Sequence, residues 1–338
     1  MRYAPFGVHR VLDPPHVLPQ AARRLDPSLP ARSGELVVDV ERLQVDSVSF
    51  RQLMEEQAQD PEAVGRRILE IVQQRGKLEN PATGSGGVLV GRARTSSRTR
   101  GVARGDRLVS LASLTLTPLH LDRVLNVDPL SHQVEVEGHA ILCAAFPSAA
   151  LPDDLPLGVC LAAFDVSSAP AQLNPVVRPK DTVVVLGAAG ASGLLSLALS
   201  RERLKGGRLF AVDRDRNGLP DIRASELADR VIEADAAYPL ECLNALTRAG
   251  AVPADVVVNT VNGPGTEMAS VLIARPGGTV LLFSMATSFS DAALSGDGIG
   301  RETRMMVGIG YIPGQAELVL RLLRRYSRLA AIFHRRYG

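Results

Sequence analysis

The chain has 338 residues, 46% of them hydrophobic, enough to fill the cores of two packed domains. Its 38 basic and 36 acidic residues leave a formal net charge of +2, which gives no overall attraction to nucleic acid or to an anionic membrane. Cys143, Cys160 and Cys242 are odd in number and lack any C-x-x-C or Cys/His metal spacing, which argues against a disulfide scaffold and a zinc module. Reduced thiols in a cytoplasm are expected, and Met1 to Gly7 shows no apolar core followed by a small-residue cleavage site, so no export signal is expected.

The first half reads as mostly β. Glu35 to Asp46 alternates or runs apolar as strands do, and Gly87–Gly91, Asp106–Ala112, Gln133–Gly138 and Ala140–Cys143 are short apolar runs parted by glycines and charged turns. A partly closed barrel is expected. One helix interrupts it, opened by Asp60 as cap and Pro61 at the first helical position. The proline-rich piece from Phe146 to Leu157 reads as a linker, and a helix is expected around Gly158 to Asn174.

The second half alternates β and α, with strands expected at Thr182–Leu186, Arg208–Val212, Arg230–Ile232, Asp255–Asn259 and Gly278–Phe283, a doubly wound parallel sheet. Its first turn is the most specific motif in the chain. Gly187-Ala188-Ala189-Gly190-Ala191-Ser192-Gly193 follows a fully apolar strand and opens an apolar helix, so the glycines let the backbone turn tightly against a pyrophosphate facing free helix N–H groups. Ala188 stands where the usual first glycine would be. A second apolar strand ends in Asp213, placed to accept ribose hydroxyls and to repel a 2′-phosphate, which favours NAD over NADP; Arg214 either turns onto such a phosphate or is a solvated turn residue. The uncharged run from Val183 to Ser200 is long enough for a membrane span, but its central glycines fit strand, turn and helix better, so no membrane partner is expected. Ligands in such sheets lie beyond the carboxyl ends of the strands, which makes Thr260, Val261, Asn262, Ser284 and Met285 candidate lining residues.

The β-rich first half, the A-x-G-x-x-G turn and Arg275-Pro-Gly-Gly278 together resemble the medium-chain dehydrogenase/reductase superfamily. More narrowly, Pro5–Val11, Val17–Gln20, Arg75–Gly87, Ser113–Leu119, Gln133–Leu142 and Gly310–Leu318 resemble the L-erythro-3,5-diaminohexanoate dehydrogenases of lysine fermentation. The resemblance implies a GroES-like catalytic domain at 1–155, rejoined by 311–338, and a Rossmann dinucleotide-binding domain at 156–310. It implies NAD(P)-dependent oxidative deamination of the diamino acid to 5-amino-3-oxohexanoate and ammonia, and a homodimer is expected. Where zinc alcohol dehydrogenases place metal ligands, this chain has Asp46, Thr83 and the stretch Ala162–Asp165, a poor set for zinc, so a metal-free site is expected.

Oxidising an amine carbon needs a hydride acceptor, a general base and a water for the iminium. Asp46 is the leading base or ammonium anchor, with a helix-cap role as its alternative. Asp165 follows, with a core hydrogen-bonding role as alternative. Thr83 and Ser85 lie in the glycine-rich loop that starts at Asn80, able to bind a carboxylate or water unless it is a plain turn. Lys77, one of three lysines, is a candidate for the carboxylate or water unless it is surface-solvated; Arg10 is a candidate carboxylate clamp, with His9 beside it. The arginines between Arg92 and Arg107 and those on the last helix lack aromatic partners and read as solvated faces or salt bridges, so no nucleic-acid partner is expected. The other readings kept open are a zinc-free quinone or enoyl reductase and a nucleotide-sensing module without catalysis.

Overall fold

The computed structural model describes residues 4–284, 286–300, 302–308 and 310–338. The chain divides into two compact units, Met1–Asp165 with Arg336–Gly338, and Val166–Arg335. This boundary lies ten residues beyond the expected 155. The segment 311–335 belongs with the nucleotide-binding unit, because its amphipathic helix Gln315–Arg325 buries Val319, Leu322 and Leu323 there and ties Arg321 to Glu202.

In the first unit a short ribbon, β1 (Val11–Asp13) and β2 (Arg24–Leu25), precedes the main sheet. The main strands are β3 (Leu36–Val45), β4 (Gly87–Ala93), β5 (Arg107–Ser110), β6 (Leu119–Asp128), β7 (Gln133–Leu142) and β8 (Ser148–Ala150). They pair antiparallel in the order β6-β7-β3-β4-β5-β8. The end strands β6 and β8 do not pair with each other among the described residues, so the expected partly closed barrel is an open-ended sheet. Two helices cover its apolar face, α1 (Ser47–Glu56) and α2 (Pro61–Arg75), burying Phe50, Leu53, Val64 and Ile68 against Leu43, Val45 and Leu121. Asp60 caps α2 through Glu62 N, as the sequence leads one to expect. A third helix, α3 (Leu157–Asp165), is buried along Gly158–Phe164 and ends on Asp165.

The second unit opens with α4 (Ser168–Leu173), so the single helix expected over 158–174 is two, broken after Asp165. Its strands are β9 (Thr182–Leu186), β10 (Arg208–Asp213), β11 (Arg230–Glu233), β12 (Ala254–Asn259), β13 (Ala274–Leu282) and β14 (Thr303–Val307). All pair in parallel, in the order β11-β10-β9-β12-β13-β14. This is the doubly wound Rossmann order, with the reversal beside β9. The intervening helices are α5 (Ala191–Arg203), α6 (Leu219–Ser225), α7 (Pro239–Arg248), α8 (Glu267–Ile273) and α9 (Phe289–Ile299); α10 (Gln315–Arg325) and α11 (Ser327–Tyr337) follow. Central strands in such a sheet are covered on both faces, and every residue of β9 is buried accordingly. The sixth strand, β14, has a mixed burial pattern and is not among the five strands legible in the sequence.

Candidate active site

Three segments of the first unit converge on Asp46. Strand β3 ends at Val45, whose N–H donates to His132 O at 3.1 Å, and Asp46 N donates to Gly86 O at 3.1 Å, so the β6–β7 turn and the 80–87 loop both meet the start of α1. Asp46 is the helix cap: its Oδ1 accepts from Val48 N at 3.1 Å and Ser49 N at 3.0 Å. The other oxygen, Oδ2, accepts from Ser85 Oγ at 2.7 Å. Ser85 Oγ lies 2.7 Å from Ser49 Oγ, and Ser49 Oγ lies 2.5 Å from Thr83 Oγ1. Capping and a polar site therefore coexist on one carboxylate.

Asp165 is brought to the same place, since Asp46 acts on it electrostatically. Its carboxyl is pushed up to about 8, first by burial and then by the neighbouring Asp46 charge. The Asp46 charge thus opposes ionisation of Asp165. His132 is a further member. It stacks on Phe50 with ring centroids 4.8 Å apart, and burial lowers its imidazole pKa while Asp46 and Asp128 pull the other way. Sequence gives no sign of His132 or Ser49 as site residues; the β6–β7 turn brings His132 back to a residue 86 positions earlier.

Four other candidates are engaged elsewhere. Asn80 donates through Nδ2 to Gln52 Oε1 at 2.7 Å and accepts Ala82 N at 2.9 Å, so it braces the loop against α1 and offers little to a ligand. Lys77 has a fully buried side chain whose Nζ donates to Pro19 O at 3.2 Å, to Gln20 O at 3.3 Å and to Glu79, and burial lowers its pKa. It pins the N-terminal segment instead of lying on the solvated surface. Arg10 is 1% exposed and forks Glu35, with Nε 2.8 Å from Oε1 and Nη2 2.6 Å from Oε2, and Nη1 donates to Ser28 O at 2.7 Å. A guanidinium so engaged is not a free carboxylate clamp. His9 bonds the same Glu35 at 2.7 Å. Burial would raise the Glu35 carboxyl, but hydrogen bonds from Arg10, Arg32 N and His9 hold it down at about 2.

His9, Glu35 and Cys143 bring one ligand atom each within 4.8 Å of one another. They make a poor metal site, because Arg10 holds both Glu35 oxygens and burial pushes the Cys143 thiol up to about 12. Around Asp46 stand one carboxylate already bonded three times, three hydroxyls, the Asp165 carboxyl and the His132 imidazole, and among the described residues their ligand atoms do not gather as those of His9, Glu35 and Cys143 do.

In the second unit the glycine turn has the shape a dinucleotide requires. Gly187 has φ +74, and a Cβ on Gly193 would lie 2.4 Å from Gly187 O, so packing of the turn on α5 demands glycine there. Gly190 differs. A Cβ there would meet nothing nearer than Gly187 O at 3.7 Å; the space above it is open, and it heads α5 without a side-chain cap. The free N–H groups of Ala191, Ser192 and Gly193 at this helix start suit a pyrophosphate, and buried Ala188 packs beneath. Asp213 accepts Ala189 N at 2.8 Å and Asp215 N at 2.9 Å, steadying the turn and keeping lone pairs for ribose hydroxyls. Arg214 is paired with Asp235 at 3.1 Å and Arg216 with Glu233 at 2.7 Å, so neither is a ready phosphate ligand.

At the carboxyl ends of the strands, Thr260 Oγ1 donates to Leu186 O at 2.9 Å and Gly187 O at 3.0 Å, fastening β12 to the glycine turn. Val261 N donates to Asn259 Oδ1 at 3.0 Å, and Ser284 Oγ donates to Asn262 Oδ1 at 3.2 Å. Met285 lies outside the described residues. Buried Asn259 and Glu267, not singled out in the sequence, hold these loops: Asn259 Nδ2 bonds Thr266 and Ser270, and Glu267 Oε1 accepts Ser288 N at 2.8 Å.

Residues 9–152 match the family profile described as the L-erythro-3,5-diaminohexanoate dehydrogenase N-terminal domain. Along its full length the chain is 39% identical to the L-erythro-3,5-diaminohexanoate dehydrogenase of Acetoanaerobium sticklandii, with 100% of both chains covered. It is 40% identical to that of Fusobacterium nucleatum, with 98% of both covered. Among solved structures it shares its fold with CurK enoyl reductase, at TM-score 0.55 and 13% identity over 89% of this chain and 83% of the other. An Escherichia coli alcohol dehydrogenase holding NADH aligns at TM-score 0.55 and 15% identity, covering 88% and 83%. These likenesses are of fold; the full-length ones are of family, and the chain belongs to the L-erythro-3,5-diaminohexanoate dehydrogenases.

Proposed function

We propose that the protein is an NAD-dependent dehydrogenase that oxidatively deaminates L-erythro-3,5-diaminohexanoate, a reaction reversible as reductive amination. The observation that carries this reading is the Asp46–Ser85–Ser49–Thr83 cluster with Asp165 beside it, anionic and hydroxyl-rich in a chain of this family. An alkene or quinone reductase has no use for carboxylates beside its substrate, whereas a substrate bearing two ammonium groups needs them.

Bound coenzyme supplies the hydride acceptor. The chain's own residues supply the rest. Asp46 Oδ2 receives the proton that the ammonium at C3 must lose before hydride leaves that carbon. Asp165, with its pKa raised to about 8, holds or returns a proton near neutral pH as water adds and ammonia departs. The overall balance is ammonium carbon, oxidised coenzyme and water giving ketone, ammonium, reduced coenzyme and one proton. The Ser85 hydroxyl and the Ser49 backbone N–H fix the orientation of Asp46. NAD is favoured over NADP because Asp213 repels a 2′-phosphate and the neighbouring arginines already have acidic partners.

Two attributes belong to the same proposal. Three buried free thiols suit a reducing cytoplasm, and exposed Phe289, Leu294 and Tyr311 suit a homodimer contact. Among the described residues no helix is long and apolar enough to cross a membrane. The test is to supply the diamino acid with NAD and follow reduced coenzyme and ammonia together; turnover of a quinone with silence toward the amine would reverse the assignment.

A further inference from the structure

Ser49 is wholly buried on the first turn of α1, where an apolar residue would ordinarily pack. Its hydroxyl faces two other hydroxyls, Ser85 at 2.7 Å and Thr83 at 2.5 Å, and these two are 3.2 Å apart. Each hydroxyl has one hydrogen to give. Ser85 gives its hydrogen to Asp46 Oδ2, so Ser85 receives one from Ser49 or from Thr83, which also lies on Ser49. The row of hydroxyls is therefore unbroken. It begins at the inner carboxylate and ends at Thr83, which is half-exposed between exposed Ala82 and Gly84.

The hydroxyl of Ser49 is not needed to place its backbone. Ser49 N is held by Asp46 Oδ1, and its carbonyl accepts from Asn80 Nδ2 at 3.3 Å. A buried serine hydroxyl with no anchoring duty, joined at both ends to other hydroxyls, has the connections of a conduit.

We propose that Ser49 is the middle link of a proton relay, Asp46–Ser85–Ser49–Thr83, that exchanges the Asp46 proton with water at the loop surface. The proposal rests on the reading of Asp46 as the base in amine oxidation. When Asp46 has taken a proton, Oδ2–H donates to Ser85 Oγ, the Ser85 hydrogen passes to Ser49 Oγ, the Ser49 hydrogen to Thr83 Oγ1, and the Thr83 hydrogen to water. Each hydroxyl ends with one hydrogen, Asp46 is again a carboxylate, and one proton has left. Rotating the three hydroxyls resets the path, and the reverse sequence serves reductive amination. Ser49 thus acts through Asp46 and does not touch substrate.

The experiment compares the wild type with Ser49→Ala and, as a milder change at the mouth, Thr83→Val. With saturating NAD and the diamino acid in dilute buffer, kcat is expected to fall about tenfold or more while KM changes less than about twofold. Imidazole is expected to restore much of the lost rate by carrying the proton directly. A second readout needs no substrate: the Asp46 carboxylate stretch, isolated as the infrared difference between each protein and its Asp46→Asn counterpart, is expected to shift in Ser49→Ala. Full activity in both variants overturns the relay, as does a loss that imidazole fails to restore. If the wild type does not turn over the diamino acid, the functional reading fails, and the infrared band alone decides the coupling: a shift sustains the hydroxyl chain and an unmoved band refutes it.

Discussion

Replacing Asp165 with Asn keeps the size and polarity of the side chain and removes its titration. In the folded protein this carboxyl is raised from the ordinary 3.8 to about 8, by burial and then by Asp46. A raised acid binds its proton more tightly in the folded state, so this group's stabilising contribution is full below about pH 4, falls as pH rises toward 8, and is level above that. At about 1.4 kcal/mol per pH unit the full interval would approach 6 kcal/mol. On ionisation the surroundings of a buried charge relax and water penetrates, which leaves about 2 kcal/mol. Asp165→Asn should therefore gain about 2 kcal/mol on the wild type between about pH 5 and pH 9, or roughly 4–8 °C in relative melting temperature. Thermal unfolding of both proteins across that range measures it, and the difference cancels every group the two share. A melting difference that stays constant with pH would show that Asp165 titrates as an ordinary carboxyl and would remove it from the acid role.

Asp46→Asn retains a helix cap and should lower kcat by about 10²-fold or more while NADH binding, followed by fluorescence, changes little; near-normal turnover would remove Asp46 as base. Gly190→Ala should fold as the wild type does yet bind NADH at least about tenfold more weakly, because its methyl enters the open space above the turn. Gly193→Ala should instead destabilise the fold by about 1–3 kcal/mol, since its methyl meets Gly187 O at 2.4 Å; calorimetric melting and binding titrations together distinguish the two. Glu35→Gln leaves the buried Arg10 guanidinium with only the more distant Asp26 carboxylate, 3.5 Å away, as counter-charge and should cost about 3 kcal/mol in denaturant unfolding. Because the Glu35 carboxyl is held at about 2 against an ordinary 4.5, its contribution is present above about pH 4.5 and is lost as pH falls toward 2; the variant's deficit should shrink over that interval.

The nucleotide-binding unit was legible because its signals are local. A buried strand, a glycine turn and a helix start lie within twelve residues of 182, and β10 ends on Asp213 as the motif requires. The strand β14 was not, since it has only three apolar residues, Met305 to Val307, after two polar ones and no fully buried position. The proposed acid/base cluster was half legible. Asp46 and Asp165 were singled out by the places where zinc dehydrogenases hold metal ligands, and Thr83 and Ser85 by their glycine-rich loop, but Ser49 reads as an ordinary residue of a helix start, and His132 reaches Phe50 only through the β6–β7 pairing. Arg10 and Lys77 misled for one physical reason: an isolated cation in a sequence looks available, and only the fold reveals partners such as Glu35, 25 residues away, or the carbonyls of Pro19 and Gln20. Burial decides whether a charged side chain is a ligand or a fastening, and burial is not a local property.

The most direct test of the account is to mix chelator-treated enzyme with NAD and L-erythro-3,5-diaminohexanoate and measure reduced coenzyme and ammonia in the same sample. Equal amounts of the two, undiminished by the chelator, are the predicted result. Reduced coenzyme that appears only after a divalent metal is returned, or ammonia that does not keep pace with it, would contradict a metal-free amine oxidation centred on Asp46.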